Sequence, residues 1–280
     1  MKELTEREFN LLRDKLLELS GIDVSAEKKY LFTTRLEKFC QDEELLSFSE
    51  FYSEISNGNS KIKQKLIESM TTHESSFFRD KYPYELVREN LTNLMEIKQK
   101  ESRFYPPKLK ILSAGCSKGQ EPYSLAIIIK EWLENNPQFN KENFTILGTD
   151  ISGKILNEAK NAIYSELELG AHISPSLKRK YFTKKNNLYY LNQDVCSLVR
   201  FKEINFSQDL SALGKFDIVF LRNVIIYFPL EIKKNILKSI HRMLPGYGFL
   251  VMGSSENTYT LTNDFRIINN SGNIYFSPVC

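Results

Sequence analysis

The chain has 280 residues, 41% of them hydrophobic and 26% charged, an ordinary balance for a soluble globular protein of one large or two modest domains. Its net charge of +3 is too mild for a nucleic-acid binder, and acidic side chains outnumber basic ones over residues 1–70. No apolar run suits a secretory leader or a membrane span, and the four scattered cysteines and three distant histidines show no redox or zinc spacing. A cytoplasmic protein with reduced thiols and no metal is expected.

The first ~90 residues read as helices only. Thr5 and Glu8 form a capping box, with Leu4 and Phe9 spaced as a hydrophobic staple. Phe9, Leu12, Leu16 and Leu19 then trace one apolar face, and Gly21 stands where a C-terminal cap belongs. A second helix runs through Tyr30, Leu31, Leu36 and Phe39. Lys28, Lys29, Arg35 and Lys38 gather on it, a pattern that suits a solvated face better than a docking surface. A third opens with a second box, Ser47 and Glu50, and closes at Asn57-Gly58, while Ile62, Leu66, Ile67 and Met70 line a fourth. After the segment Thr71–Asp80 and a helix near Tyr84–Ile97, Pro106-Pro107 marks a break.

From there strand-like runs alternate with helices: Lys108–Ala114, Glu121–Glu134, Phe144–Asp150 and Ser152–Ala162. Such alternation predicts a parallel sheet covered on both faces. Residues 164–206 interrupt it, with Tyr189-Tyr190-Leu191 and Val199-Arg200-Phe201 read as strands of a small antiparallel excursion. The sheet resumes with Phe216–Leu221, a helix at Leu230–Leu244 and Phe249–Met252. A hairpin, Phe265–Asn269 and Asn273–Phe276 around Ser271-Gly272, closes it.

Most of the functional information lies in Lys110–Ala126: a strand, a loop holding Gly115 and Gly119, then a helix with Glu121 and Pro122 in its first turn. Glycines let a ligand approach the main chain, and the helix start offers unused N–H groups. This is a nucleotide-like cofactor site at the carboxyl edge of an α/β sheet. Neither G-x-G-x-x-G nor G-x-x-x-x-G-K-[ST] is present. Glu121 argues against a phosphate here and for a ligand with hydroxyls or positive charge. Asp150 ends the next strand, where an acid holds ribose hydroxyls; the position also suits a helix cap shared with Ser152.

With the segments Thr71–Asp80, Gly148–Ser152, Phe216–Phe228 and Gly248–Glu256 in the same order, the chain resembles the CheR family of chemotaxis receptor methyltransferases, which use S-adenosylmethionine. The resemblance implies an α/β fold of three parts. These are a Rossmann-like S-adenosylmethionine-dependent methyltransferase sheet domain (81–280), a small N-terminal all-helical domain with its linker motif (1–80), and an inserted antiparallel β-subdomain at about 164–206. It implies cofactor contacts from His73, Ser75, Arg79, Gly115, Glu121, Asp150, Asn205, Phe206, Arg222 and Asn223. Glu121 would approach the positively charged methionyl end, while Asn205 and Phe206 bracket the adenine. Phe77 and Phe78 pack in the core, and Arg79 has an ion pair with Asp80 or another acid as its structural alternative. The chain departs from the family at His73, where Asn is usual, and at Gln120, where Glu is usual.

The implied reaction is methyl transfer to glutamate carboxylates of chemotaxis receptors, giving methyl esters and S-adenosylhomocysteine. A carboxylate with pKa ≈ 4.3 is already an anion near neutral pH, so no general base is required and orientation dominates. Arg79 would orient the carboxylate and Tyr227 supply a hydrogen bond. The implied partners are the cytoplasmic helical region of the receptors and, on the β-subdomain, a receptor C-terminal peptide. A monomer without nucleic acid or membrane insertion is expected. Two other readings stand beside this one: a methyltransferase acting on another protein or a small carboxylate, and a non-catalytic cofactor-sensing or receptor-binding module.

Overall fold

A computed structural model describes residues 3–72, 74–102, 104–270 and 273–279. Thr5 Oγ1 accepts from Glu8 N while Glu8 Oε2 accepts from Thr5 N, the reciprocal box that opens α1 (Glu6–Ser20). Gly21 closes this helix in the left-handed region, at φ 76°. Helices α2 (Tyr30–Asp42), α3 (Phe48–Ser56) and α4 (Ser60–Met70) follow. The box expected at α3 is half formed. Ser47 Oγ accepts from Glu50 N, but Glu50 Oε2 accepts from Leu46 N, one residue further out than the box requires.

These four helices bury Phe9, Leu12, Phe32, Phe51 and Leu66 in a cluster that continues without a break into Leu112, Val219, Leu237 and Leu250 of the sheet region. The helical unit is therefore packed onto the sheet rather than tethered beside it. A Cβ at Gly21 would stand 2.7 Å from Ser207 Cβ, so the cap of α1 is also a point of close approach between the two.

Helix α5 (Tyr82–Glu101) starts earlier than the spacing predicts, because Pro83 is tolerated in a first turn whose N–H groups go unused. Next come β1 (Leu109–Ala114), α6 (Gln120–Glu134), β2 (Phe144–Asp150) and α7 (Gly153–Asn161). A smaller unit follows: β3 (Ile163–Ser165), α8 (Glu166–Leu169), α9 (Pro175–Tyr181), β4 (Phe182–Lys185), β5 (Leu188–Leu191) and α10 (Gln193–Cys196). The chain ends with β6 (Val199–Glu203), β7 (Ile218–Leu221), α11 (Leu230–Met243), β8 (Phe249–Met252), β9 (Phe265–Asn270) and β10 (Asn273–Pro278). The antiparallel pairing of β9 with β10 matches the expected hairpin; its turn, Ser271-Gly272, lies outside the described residues.

The main sheet has seven strands in the order β6-β2-β1-β7-β8-β10-β9, parallel from β6 to β8. The chain steps outward from β1 to β2 and β6, then returns to β7 on the other side of β1. Connections leaving β1 and β7 therefore diverge, and a crevice opens at their carboxyl ends. Alternate residues of the sheet feed opposite cores, Leu112 and Val219 on the helical-domain side, Ile111 and Ile218 on the side of α5 and α6.

Two expectations for the excursion need correction. Val199–Phe201 belongs to the main sheet, where Val199 pairs with Ile146 and Phe201 with Gly148. Its partner is β2 because Gly148 leaves room for the Phe201 ring: a Cβ at Gly148 would stand 2.8 Å from it. The separate sheet, in the order β3-β5-β4, spans only Ile163–Leu191 and places Tyr189 and Tyr190 on its central strand. The outer edges open to a further strand are thus β3 and β4, not the tyrosine strand. Among the described residues, no helix is long and apolar enough to cross a membrane.

Candidate active site

The loop after β1 bends through three positive-φ residues, Gly115 (69°), Ser117 (52°) and Gly119 (86°), before α6 begins. A Cβ at Gly115 would lie 2.4 Å from Val224 Cγ2, so only glycine lets the β1 and β7 loops approach this closely. Cys116 N donates to Thr149 O at 2.8 Å and Ser117 N to Asp150 Oδ2 at 3.0 Å, which ties the loop to the end of β2. Asp150 Oδ1 accepts from Ser152 N, while Ser152 Oγ itself caps α7 by accepting from Ile155 N. Capping thus falls to Ser152, and Asp150, only 6% exposed, faces the crevice. Burial pushes the Cys116 thiol well above its ordinary pKa, which leaves this loop cysteine a poor nucleophile.

A buried charge cluster forms the floor. Arg222, whose side chain is 3% exposed, donates through Nη1 to Glu121 Oε2 at 3.0 Å. Its Nη2 donates to Asp80 Oδ2 at 2.6 Å and to the Arg79 carbonyl at 3.1 Å. Ser113 Oγ donates to Glu121 Oε1 at 2.7 Å. Burial raises the Glu121 pKa against the lowering pull of Arg222. For Arg222, burial is the largest single influence and opposes the charge, but Glu121, Tyr84 and Asp80 together outweigh it and hold the guanidinium firmly protonated. Among the described residues, Arg222 Nε, Tyr84 Oη and Gln120 Oε1 are buried polar atoms with no partner at full hydrogen-bond geometry. Asp80 is therefore committed to Arg222, and the pair between Arg79 and Asp80 does not form.

Glu256 is the residue that sequence reasoning passed over. Its Oε2 accepts from Asn223 N (2.6 Å) and Gly253 N (2.9 Å), and its Oε1 from Val224 N (2.9 Å) and Ile225 N (3.0 Å). One buried carboxylate thereby holds the whole turn after β7 in place, including Asn223 at φ 58°. The signal was available, since Glu256 closes the Gly248–Glu256 segment just beyond a strand end.

Two contiguous hollows result. One of about 570 Å³ is lined by Gly115, Asp150, Ile151, Phe206, Val224 and Tyr227, with Ser20 and Ile22 contributed by the helical unit. The other, about 480 Å³, is lined by Ser75, Arg79, Tyr84, Ser117, Glu121 and Arg222. Thr72, Gly115, Asp150 and Asn223 belong to both.

The sequence matches the model of the CheR methyltransferase SAM binding domain over residues 73–274 and that of the CheR methyltransferase all-alpha domain over residues 7–71. The chain belongs to the CheR methyltransferase family. Chemotaxis protein methyltransferase 1 of Pseudomonas aeruginosa is 34% identical over 270 residues, covering 96% of this chain and 97% of the relative. Chemotaxis protein methyltransferase Cher2 of Pseudomonas putida is 32% identical and covers 96% and 97%. Chemotaxis protein methyltransferase 1 of Vibrio cholerae is 34% identical and covers 91% of each chain. The fold is accordingly that of an S-adenosylmethionine-dependent methyltransferase with a helical N-terminal domain, and S-adenosylmethionine is the cofactor.

The hollows fit that cofactor on their own chemistry. Ile151, Phe206 and Val224 offer an apolar wall for a purine, Asp150 an acceptor for ribose hydroxyls, and Glu121 a negative charge near a cationic tail. Of the CheR-type site residues expected from the sequence, Ser75, Arg79, Gly115, Glu121, Asp150, Phe206, Arg222, Asn223 and Tyr227 line one hollow or the other. Asn205 does not. Its Nδ2 donates to Leu19 O at 2.8 Å and its Oδ1 accepts from Ser207 N and Oγ, so this side chain fastens the end of α1 to the loop after β6. His73 lies outside the described residues. Gln120, the other departure, is buried with Nε2 donating to Ser75 O at 3.4 Å.

Proposed function

We propose that this CheR-family methyltransferase moves the methyl group of S-adenosylmethionine to glutamate side chains of chemotaxis receptors, giving methyl esters and S-adenosylhomocysteine. The observation that carries the reading is Arg79. It lines the same hollow as Asp150, Glu121 and Arg222, yet among the described residues its side chain hydrogen-bonds only to the Glu74 carbonyl, at 3.3 Å, and not to an acid. A half-buried guanidinium that feels the Glu121 charge but forms no ion pair among the described residues is a ready partner for an incoming carboxylate. The cofactor supplies an electrophilic methyl on a sulfonium, so the substrate anion needs alignment and not deprotonation. In this reading Asp150 holds the ribose, Phe206 packs on the adenine, Glu121 faces the methionyl end, and Tyr227 offers its hydroxyl at the mouth. Residues 1–80 and 81–280 then act as receptor-facing and catalytic domains, with the Ile163–Leu191 sheet as the insertion. Its β3 and β4 edges suit a receptor C-terminal peptide added as a further strand.

Radiolabelled methyl transfer to receptor-containing membranes tests the proposal; base-labile label would identify an ester, and base-stable label would refute it. Two variants test the roles. Asp150→Ala should weaken cofactor binding by about 1–3 kcal/mol, the cost of losing a charged hydrogen-bond partner. Calorimetry on folded protein measures this, and an unchanged affinity would remove Asp150 from the ribose. Arg79→Lys keeps the charge but loses the planar fork that matches a carboxylate. Turnover should fall at least ~10-fold with cofactor affinity nearly unchanged. Wild-type turnover would leave Arg79 a structural residue.

A further inference from the structure

The opposite, amino-terminal edge of the sheet carries a second feature that methyl transfer does not use. Four lysines, Lys98, Lys108, Lys110 and Lys215, surround a hollow of about 650 Å³ together with Glu101, Asp217, Pro245 and Tyr247. Asp217 is buried and already satisfied by Lys98 Nζ (3.1 Å), Tyr247 Oη (3.1 Å) and Lys110 N (2.8 Å). Glu101 Oε2 lies 2.8 Å from the same hydroxyl, whose single hydrogen the two carboxylates share. The acids are thus spent on Lys98 and Tyr247, whereas Lys108 and Lys110 are exposed and in no ion pair among the described residues. A positive surface is left over.

Just before these lysines the chain exposes two adjacent aromatic side chains, Phe104 at 91% and Tyr105 at 81%. Pro106-Pro107 connects them to Lys108, and Asn143 Nδ2 holds the Pro107 carbonyl at 2.9 Å. A stiff, anchored stem therefore presents two uncovered rings beside a basic hollow. Rings that protrude this far have no partner to fill a groove with, but they suit the headgroup layer of a bilayer, where aromatic and apolar side chains are favoured at the interface.

We propose that this edge is a peripheral docking surface for anionic lipid, with Phe104 and Tyr105 entering the interfacial layer and the lysines meeting phosphate headgroups. The charge is complementary, and each lysine near an anionic leaflet adds about fivefold to the affinity. The contact lies at the far end of the strands from the cofactor crevice, so the crevice stays open when the enzyme is docked. It involves adsorption only; no helix of the described residues is long and apolar enough to span.

Co-sedimentation of the full chain with vesicles of equal parts phosphatidylglycerol and phosphatidylcholine, against pure phosphatidylcholine, tests it. Binding to the anionic vesicles alone, weakened by salt, is expected. Phe104→Ser/Tyr105→Ser and Lys108→Glu/Lys110→Glu should each weaken it at least ~10-fold, with methyl transfer to soluble receptor fragments unaffected. These positions are exposed and outside the crevice, so the variants should fold, which circular dichroism would verify. No binding of the wild type to anionic vesicles would overturn the proposal, as would wild-type binding by both variants. Binding to polyglutamate but not to vesicles would assign the surface to an acidic protein segment and overturn it equally.

Discussion

Glu256→Ala is expected to cost about 4 kcal/mol or more of folding stability, because four backbone N–H groups lose their acceptor at once and each buried orphan costs about 1–3 kcal/mol. Against a typical total of about 5–15 kcal/mol this is severe, and the loop bearing Asn223 and Tyr227 should lose its position before the rest of the sheet unfolds. Urea denaturation gives the loss. Glu256→Gln provides the graded control. Its carbonyl oxygen can replace one carboxylate oxygen, and so two of the four bonds, while its NH2 group faces the remaining donors. It should retain roughly half the lost stability. A change below ~1 kcal/mol for alanine would mean that water replaces the carboxylate and that Glu256 is not the anchor of the turn.

Arg222→Met should be similarly damaging, by about 3–5 kcal/mol, since it removes the cation from a buried carboxylate and leaves the negative charge of Glu121 uncompensated. Its pH dependence has a definite sign. Burial already raises the Glu121 pKa, and loss of Arg222, the main opposing influence, raises it further. A carboxyl group with a folded pKa above its unfolded one binds more protons when folded, so the variant loses stability as pH rises through the raised value. Below the unfolded value of about 4.3 the penalty from Glu121 disappears. The variant should therefore suffer less, relative to wild type, at acid pH than at neutral pH. Adding Glu121→Gln should recover much of the loss at neutral pH, because it removes the stranded charge. If the double variant is no more stable than the single one, packing around Arg222 rather than charge sets the cost.

Both predictions concern side chains that hold the crevice together, and they show where reading the sequence stops. The alternation of strands and helices after Pro107 and the apolar spacing of α1 to α4 were legible because local period and caps follow directly from side-chain chemistry. Gly115 and Asp150 could be picked out for the same reason: a glycine loop between strand and helix, followed by an acid ending the next strand, carries its own geometry. Arg222 was legible as a strand-end residue, but its partners Glu121 and Asp80 were not, since they come from the α6 start and the linker motif. The Arg79–Asp80 pairing suggested by adjacency gave way to a buried partner that only the fold brings near.

Periodicity also misassigned Val199–Phe201. A short β-run looks the same in either sheet, and what placed it beside β2 was room over Gly148 for the Phe201 ring. The contact made by Asn205 was hidden for a related reason, because the carbonyl of Leu19 that takes its amide comes from a helix far back in the chain. By itself, then, the sequence determined the local elements, the glycine loop between β1 and α6 and the family to which the chain belongs. The tertiary structure alone decided which acid pairs with Arg222, which carboxylate carries the turn after β7, and which strand joins which sheet. Those choices depend on desolvation and on packing between distant segments, and neither is encoded in the spacing of neighbouring residues.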